Sequence, residues 1–181
     1  ICTCLVGSEM CIRDRSNYTP WCIITPLKNN KKSHINKVKN LWKSLGSNVE
    51  IMSPQRHDRV MAITSHLPHL IAYNIVSTAA DLESVTKSDI IKYSASGFRD
   101  FTRIASSDPT MWRDIFLNNK EAVLEMISRF TEDLTALQKS IRWEDGKSLH
   151  KLFSKTRKVR DKIISAGQDT VDADFGRSKK R

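Results

Sequence analysis

Two histidines in the segment SHLPHL (residues 65–70) have the side chains best suited to chemistry. His66 and His69 are three positions apart, so both side chains share one face of an uninterrupted helix. Such a pair can bind a metal ion, exchange protons, respond to pH or pack in a core. A metal site would need a third ligand, and the preceding histidine in the chain, His57, lies nine residues before His66. Taken alone, the residues favour two core histidines beside a helix kinked by Pro68.

The segment GFRDFTR (residues 97–103) offers a way to bind a carboxylate. The guanidinium of Arg103 can form two parallel charge-assisted hydrogen bonds with a carboxylate group. Taken alone, however, the residues favour a solvated arginine on a helix surface or a salt bridge to Asp100. Asp100 lies three residues earlier, where it could orient Arg103 or form an ordinary surface ion pair with it. The small residues Ser96 and Gly97 predict a tight turn at which the backbone can approach a ligand.

The elements that would position these residues begin with a short α/β segment. WCIITP (residues 21–26) predicts a buried strand, residues 33–45 an amphipathic helix stopped by Gly46, and NVEIM (residues 48–52) a second strand. Strand, helix and strand at this spacing form a βαβ unit of a parallel sheet. One unit is too small to be a sheet domain, so we expect it to be the end of one.

From residue 53 onward the pattern is helical only. Ser53 and Pro54 predict a helix start, and a kinked helix should continue from it past the two histidines. A further helical stretch is expected over residues 83–93. The Ser-Asp-Pro sequence at residues 107–109 predicts the start of a helix that carries Trp112, which fits either a ligand contact or a core aromatic.

Two long helices should complete the domain. The first has an apolar seam at alternating steps of four and three, which suits packing against a partner helix. The seam residues are Val123, Ile127, Phe130, Leu134, Leu137 and Ile141. Glu144-Asp145-Gly146 should end this helix, and a last helix is predicted over residues 147–165. The basic tail from Gly167 has little to bury, and we expect it to be disordered. The predicted fold class is mainly α.

Charge and hydropathy limit the partners. The net charge of +10 favours anionic partners, and a basic nucleic-acid-binding module is therefore one alternative. Against it, the basic residues alternate with an apolar face, and no helix-turn-helix, zinc-finger or RNA-binding signature is present. No stretch approaches the roughly 18 apolar residues of a membrane span. We therefore predict neither a nucleic acid nor a membrane as partner.

The first fifteen residues do not match the rest. They hold three of the four cysteines, but neither the paired spacing nor the histidines of a zinc site, and no secretory signal pattern. CLVGSEMCIRDR (Cys4–Arg15) resembles the translation of a transposon adapter used in sequencing libraries, so residues 1–15 are excluded from fold reasoning. Cys22 is then the remaining cysteine, which suits a reducing cytoplasm.

Two motifs in order carry a family resemblance. HDRVMAITSHLPHLIAY (His57–Tyr73) followed by SASGFRDFTRIASSDPTMW (Ser94–Trp112) resembles the C-terminal half of the prephenate dehydrogenase family, which includes arogenate and cyclohexadienyl dehydrogenases. The resemblance covers nearly all of residues 21–164. It implies oxidative decarboxylation of prephenate or arogenate, with hydride passing to NAD or NADP. It also implies an N-terminal Rossmann domain that binds most of the cofactor and a helical domain that dimerises. The family's glycine-rich turn and catalytic histidine do not occur in this chain and are expected upstream.

The resemblance also implies a substrate site. It assigns Arg103 to the side-chain carboxylate of the substrate and His69 to a pocket lined by SHLPH, with His66 as a supporting partner. The further implied substrate-site residues are Asp100, Ser96, Gly97 and Trp112. In this family the tryptophan can project toward the active site of the neighbouring subunit. Many members carry glycine where this chain has Ser96, so a hydroxyl could replace a backbone contact there.

Together these observations predict four regions. They are an adapter-derived segment (1–15), the end of a Rossmann domain (16–53), a helical dimerisation and substrate domain (54–166) and a basic tail (167–181). We expect a cytoplasmic homodimer that binds a small dicarboxylate. The alternative is a helical dimerisation module that has no activity of its own in this truncated form.

Overall fold

The computed structural model describes residues 21–87, 89 and 91–165. The adapter-like segment and the tail from Gly167 lie outside these described residues. The chain divides into two compact units, the first extending to Ile127 and the second beginning at Ser128. Among the described residues, no helix combines the length and the apolar character that a membrane span requires.

The predicted strand, helix and strand are present, but the first strand is not buried along its length, since Trp21 is 49% exposed. This βαβ unit consists of β1 (Trp21–Ile24), α1 (Lys32–Ser44) and β2 (Asn48–Ile51). The two strands are parallel, and Cys22 lies opposite Val49. Cys22 is fully buried, so the unit has a small core of its own.

Gly46 ends α1, as the sequence indicates. Its φ of 84° lies in the left-handed region, which costs a residue with a β-carbon about 1–2 kcal/mol. The Gly46 amide donates to the carbonyl of Lys43, and the Ser47 amide donates to the carbonyl of Trp42, both at 3.0 Å. This is the Schellman pattern, which satisfies the last carbonyls of the helix.

Ser53 starts the helical region. Its Oγ accepts a hydrogen bond from the amide of Arg56 at 3.2 Å, and Pro54 occupies the first turn. The helix α2 (Pro54–Met61) leads into a π-helical segment (Ala62–His66) without a break.

The helix is irregular in this π segment, just before the proline at which the sequence predicts a kink. The helix α3 (Leu67–Thr86) follows directly, with Pro68 in its first turn. Proline has no N–H to offer the carbonyl of Thr64, and its ring would crowd that carbonyl in a regular helix. The wider π turn immediately upstream accommodates this, so the irregularity precedes the proline.

The prediction of a helix over residues 83–93 is wrong. The helix α3 ends at Thr86 because Lys87 adopts a left-handed conformation with φ of 49°. Among the described residues from 87 to 93, Ile91–Tyr93 form a short 3₁₀ turn. Helical spacing of apolar residues gives no sign of this left-handed residue.

The next elements carry the predicted carboxylate-binding residues. They are α4 (Ser96–Thr102), a 3₁₀ segment (Arg103–Ser106) and α5 (Pro109–Asn118). Both α4 and the 3₁₀ segment pack against α3. The carboxylate of Asp108 caps α5 by accepting from the amide of Met111 at 2.7 Å, as its Ser-Asp-Pro start predicts.

Two long helices follow, α6 (Lys120–Arg142) and α7 (Gly146–Ser165). The break between them is at the predicted place: Glu144 has a φ of 53°, and the Asp145 carboxylate accepts from the amide of Ser148 at 3.0 Å. The prediction of a mainly helical fold with two short parallel strands at its start is confirmed.

Candidate functional site

The site is built around the indole of Trp112. This side chain is 6% exposed and projects from α5 toward α3. The imidazole of His69 stacks on the indole, with ring centroids 3.7 Å apart and an angle of 22° between the planes. Within this chain, Trp112 is therefore a core aromatic in direct contact with a predicted ligand-binding histidine.

His66 contacts the same indole in a T-shaped arrangement. Its ring centroid lies 6.2 Å from that of Trp112, with an angle of 79° between the planes. It lies 6.5 Å from the centroid of Phe116, with an angle of 88°. Phe116 and Trp112 are four residues apart on α5, so they share a face and present one aromatic surface to both histidines. The structure thus brings together His66, His69 and Trp112, three of the predicted site residues.

The backbone of the π segment fixes the ring of His69. Its Nδ1 lies 2.9 Å from the carbonyl oxygen of Ser65. A carbonyl oxygen only accepts hydrogen bonds, so Nδ1 carries a proton. In the neutral ring, Nε2 then holds a lone pair and accepts hydrogen bonds. When protonated, the same nitrogen donates, for example to a carboxylate.

Burial lowers the pKa of both imidazoles. For His66, burial is the largest cause; the nearby His57 and His69 lower its pKa further, and Asp58 partly offsets them. For His69, burial lowers the pKa, and the hydrogen bond to Ser65 partly offsets it. Both rings are therefore predominantly neutral at pH 7.

His57, in the first turns of α2, is only partly exposed. Its side chain is 17% exposed, and its Nδ1 lies 3.0 Å from a carboxylate oxygen of Asp58. His150, in α7, is exposed.

The described residues contain no group of three or more histidine, cysteine or carboxylate side chains that could hold a metal ion.

Arg103 and Asp100 lie on the elements that pack against α3. Arg103 is exposed and begins the 3₁₀ segment, whereas Asp100 is partly buried in α4. The hydroxyl of Tyr73, on α3, donates to the carbonyl of Ser107 at 2.7 Å. This hydrogen bond ties the histidine-bearing helix to the chain just beyond Arg103.

The tight turn predicted at Ser96 and Gly97 is absent. Both are exposed residues in the first turn of α4, which starts after the extended residue Ala95. Gly97 has no positive φ, and a β-carbon built there would meet no atom within 4 Å. The carbonyl of Ala95 accepts a hydrogen bond from the amide of Arg99 at 3.2 Å, so the helical hydrogen bonding begins directly before these small residues.

The sequence model of the family described as "Prephenate dehydrogenase, dimerization domain" matches residues 53–155, which contain every residue of this site. The chain belongs to this family. Its prephenate dehydrogenase relatives include the cyclohexadienyl dehydrogenase of Zymomonas mobilis, 38% identical over 138 residues (76% of this chain, 47% of the relative). The prephenate dehydrogenase of Bacillus subtilis is 34% identical over 139 residues (77% of this chain, 37% of the relative).

A solved structure of the family gives the same fold. The prephenate dehydrogenase of A. aeolicus, in complex with hydroxyphenyl propionate and NAD+, is 41% identical with a TM-score of 0.75. The match covers 79% of this chain and 50% of that one. The chain therefore spans about half, or less, of the length of these relatives.

Within this prephenate dehydrogenase domain, sequence reasoning missed Asn119. It ends α5, where an asparagine is an ordinary helix-terminal residue. Its side-chain nitrogen lies 3.2 Å from Nδ1 of His66 and 2.9 Å from the backbone oxygen of Asp58. These partners are 53 and 61 residues away in sequence, so no local pattern reveals them. Phe116 was missed for the same reason.

Proposed function

We propose that this chain is the substrate-binding and dimerisation part of a dehydrogenase that oxidatively decarboxylates prephenate or arogenate with NAD+ or NADP+. The observation that carries the proposal is the family match over residues 53–155, which includes the whole histidine–tryptophan cluster. The A. aeolicus relative, whose complex contains hydroxyphenyl propionate and NAD+, supports an aromatic acid as ligand.

In this proposal the substrate is held from two sides. Arg103 binds a carboxylate, because its guanidinium matches that group in charge and geometry. His69 offers Nε2, which accepts from a substrate hydroxyl when neutral and donates to a carboxylate when protonated. The substrate-site roles of Asp100, Ser96 and Gly97 belong to the same proposal, with Gly97 free of crowding on its α-carbon.

The remaining chemistry is assigned to residues upstream of this domain. The unit β1–α1–β2 would be the end of a dinucleotide-binding domain, since parallel βαβ units are the building blocks of such sheets. The bound nicotinamide would accept the hydride. The base that takes the substrate's hydroxyl proton would also lie in that domain.

A kinetic comparison of two arginines tests the substrate role. In the intact dehydrogenase, Arg103→Ala should raise KM for prephenate or arogenate about 30-fold, the effect of losing roughly 2 kcal/mol of charged hydrogen bonding. The KM for NAD+ or NADP+ should stay unchanged. Arg99→Ala is the matched control, because Arg99 is an exposed arginine on the adjacent helix α4. An unchanged substrate KM in the Arg103 variant would remove Arg103 from the site. No turnover of either substrate by the unmodified enzyme would refute the function itself.

We also propose that the chain forms a homodimer through α6 and α7. The family's description as a dimerisation domain supports this, as do apolar side chains left exposed on both helices. The exposed apolar residues on these helices and in the turn between them are Leu124, Leu134, Ile141, Trp143, Leu152, Phe153, Val159 and Ile163. Large apolar side chains left exposed on a helix favour a protein–protein interface.

A further inference from the structure

The aromatic contacts of His66 fix where its ring lies but not which way round it is. Trp112 and Phe116 both contact the imidazole edge to face. A half-turn of the ring exchanges nitrogen and carbon positions and leaves these apolar contacts nearly unchanged. Something else must decide which nitrogen faces which neighbour, and which one carries the proton.

Asn119 supplies that decision. Its Nδ2 lies 2.9 Å from the backbone oxygen of Asp58, an atom that can only accept. The amide group therefore has its nitrogen, and not its oxygen, at this position. The same nitrogen lies 3.2 Å from Nδ1 of His66. An amide nitrogen only donates, so Nδ1 of His66 must present a lone pair.

We infer that Asn119 is a positioning residue that holds His66 as the Nε2–H tautomer, so that His66 offers a hydrogen-bond donor to an oxygen atom of the substrate. The use of that donor rests on the proposed function, whereas the choice of tautomer does not. His69 has the opposite arrangement, with its proton on Nδ1 against Ser65. The two neighbouring rings thus present one donor and one acceptor, although both are neutral histidines.

The charged surroundings of His66 are consistent with a neutral ring. The titratable groups that act on it are His57, Asp58 and His69. The carboxylate of Asp58 lies 3.0 Å from Nδ1 of His57, so it already has a hydrogen-bond partner. Asn119 is a neutral group, and it selects a tautomer without adding a charge to a half-buried cluster.

The tautomer can be read directly by long-range ¹H–¹⁵N correlation spectra of the ¹⁵N-histidine-labelled chain, with the His66 signals assigned by their loss in His66→Gln. At pH 7.5 we expect the proton of wild-type His66 on Nε2. In Asn119→Ala the ring should become a mixture of tautomers, and in Asn119→Asp the proton should move to Nδ1, where the carboxylate accepts it. Asn118→Ala is the matched control, because the Asn118 side chain donates to the carbonyl of Asp114.

A wild-type signal with the proton on Nδ1 would overturn the inference, and so would an Asn119→Asp spectrum identical to that of the wild type. The wild-type spectrum decides even where a variant fails to fold. In the intact dehydrogenase, Asn119→Asp should also raise the substrate KM about 3- to 10-fold, the effect of one lost neutral hydrogen bond. A changed tautomer with an unchanged substrate KM would leave the inference on Asn119 standing and remove His66 from the proposed substrate site.

Discussion

At the scale of single residues, His66 and His69 should make the stability of the folded chain sensitive to acid. Burial lowers the pKa of both His66 and His69 in the folded chain. The unfolded chain exposes these imidazoles, which then have the ordinary histidine pKa near 6.5. Below that pH the unfolded state binds more protons than the folded state. Stability from this source is therefore complete above about pH 6.5 and is lost as the pH falls through the folded-state pKa values.

We accordingly predict that the free energy of unfolding falls between pH 7.5 and pH 5.5. Each histidine contributes at most about 1.4 kcal/mol per pH unit. Urea titrations followed by near-UV circular dichroism measure it. His66→Gln and His69→Gln should each flatten the dependence on pH, whereas His150→Gln, which alters an exposed histidine, should leave the slope as it is. If the wild type and all three variants show the same dependence of unfolding free energy on pH, His66 and His69 do not cause the loss of stability in acid.

At the scale of elements, the sequence predicted local events well and distant ones poorly. Gly46, Ser53 and Asp108 act within a few residues of their own positions, so their roles as stop and start signals followed from residue type alone. The end of α3 could not be predicted in this way. Lys87 adopts a left-handed conformation there, and the presence of a lysine does not indicate one. The small residues before Phe98 suggested a turn, yet the same small residues are compatible with a helix.

The candidate site shows the same division. Two histidines three apart on an apolar helix predicted a shared environment, and both rings do contact Trp112. The family resemblance added Trp112 to the set. The polar partners of the cluster could not be predicted, since Asn119 meets His66 only after α5 has packed against the π segment. Tertiary packing, and not local pattern, supplies the hydrogen bonds that set the chemistry.

One hydrogen bond between elements is open to a direct test. The hydroxyl of Tyr73 donates to the half-buried carbonyl of Ser107, which joins α3 to the segment before α5. Tyr73→Phe removes the donor and leaves that carbonyl unpaired by it, so we expect a loss of about 1 kcal/mol in the free energy of unfolding.

Tyr93→Phe is the matched control. Tyr93 is 79% exposed, so removing its hydroxyl should leave no buried hydrogen-bonding group unpaired. Urea unfolding of both variants measures the difference. Equal stability of the two would mean that the Tyr73 hydrogen bond does not hold the elements together. In the intact enzyme, Tyr73→Phe should also raise the substrate KM. The hydrogen bond holds Ser107 against α3, and Arg103 lies on the 3₁₀ segment that ends just before Ser107.

At the scale of the whole molecule, the apolar seam of α6 needs a partner. Leu134 and Ile141 belong to the predicted seam, yet they are 52% and 64% exposed. In the described part of the single chain, the C-terminal half of this seam is therefore partly open to water. Two copies that share the family's dimerisation domain could cover it, because a symmetric pair buries the same stripe on both chains.

A charge placed on the seam should separate such a dimer. In Leu134→Glu, association would bury a carboxylate among apolar side chains without a partner, which costs several kcal/mol. We expect the dimer dissociation constant to rise at least ~100-fold, as measured by sedimentation equilibrium. Ala136→Glu adds the same charge to the same helix, but on the side roughly opposite the seam, so it should leave the dimer intact. If both variants stay dimeric at the same concentration, the seam is not the interface. If both become monomeric, the effect belongs to added charge in general, and the assignment of the seam falls with it. Only loss of the dimer in Leu134→Glu alone places the subunit contact on this face of α6.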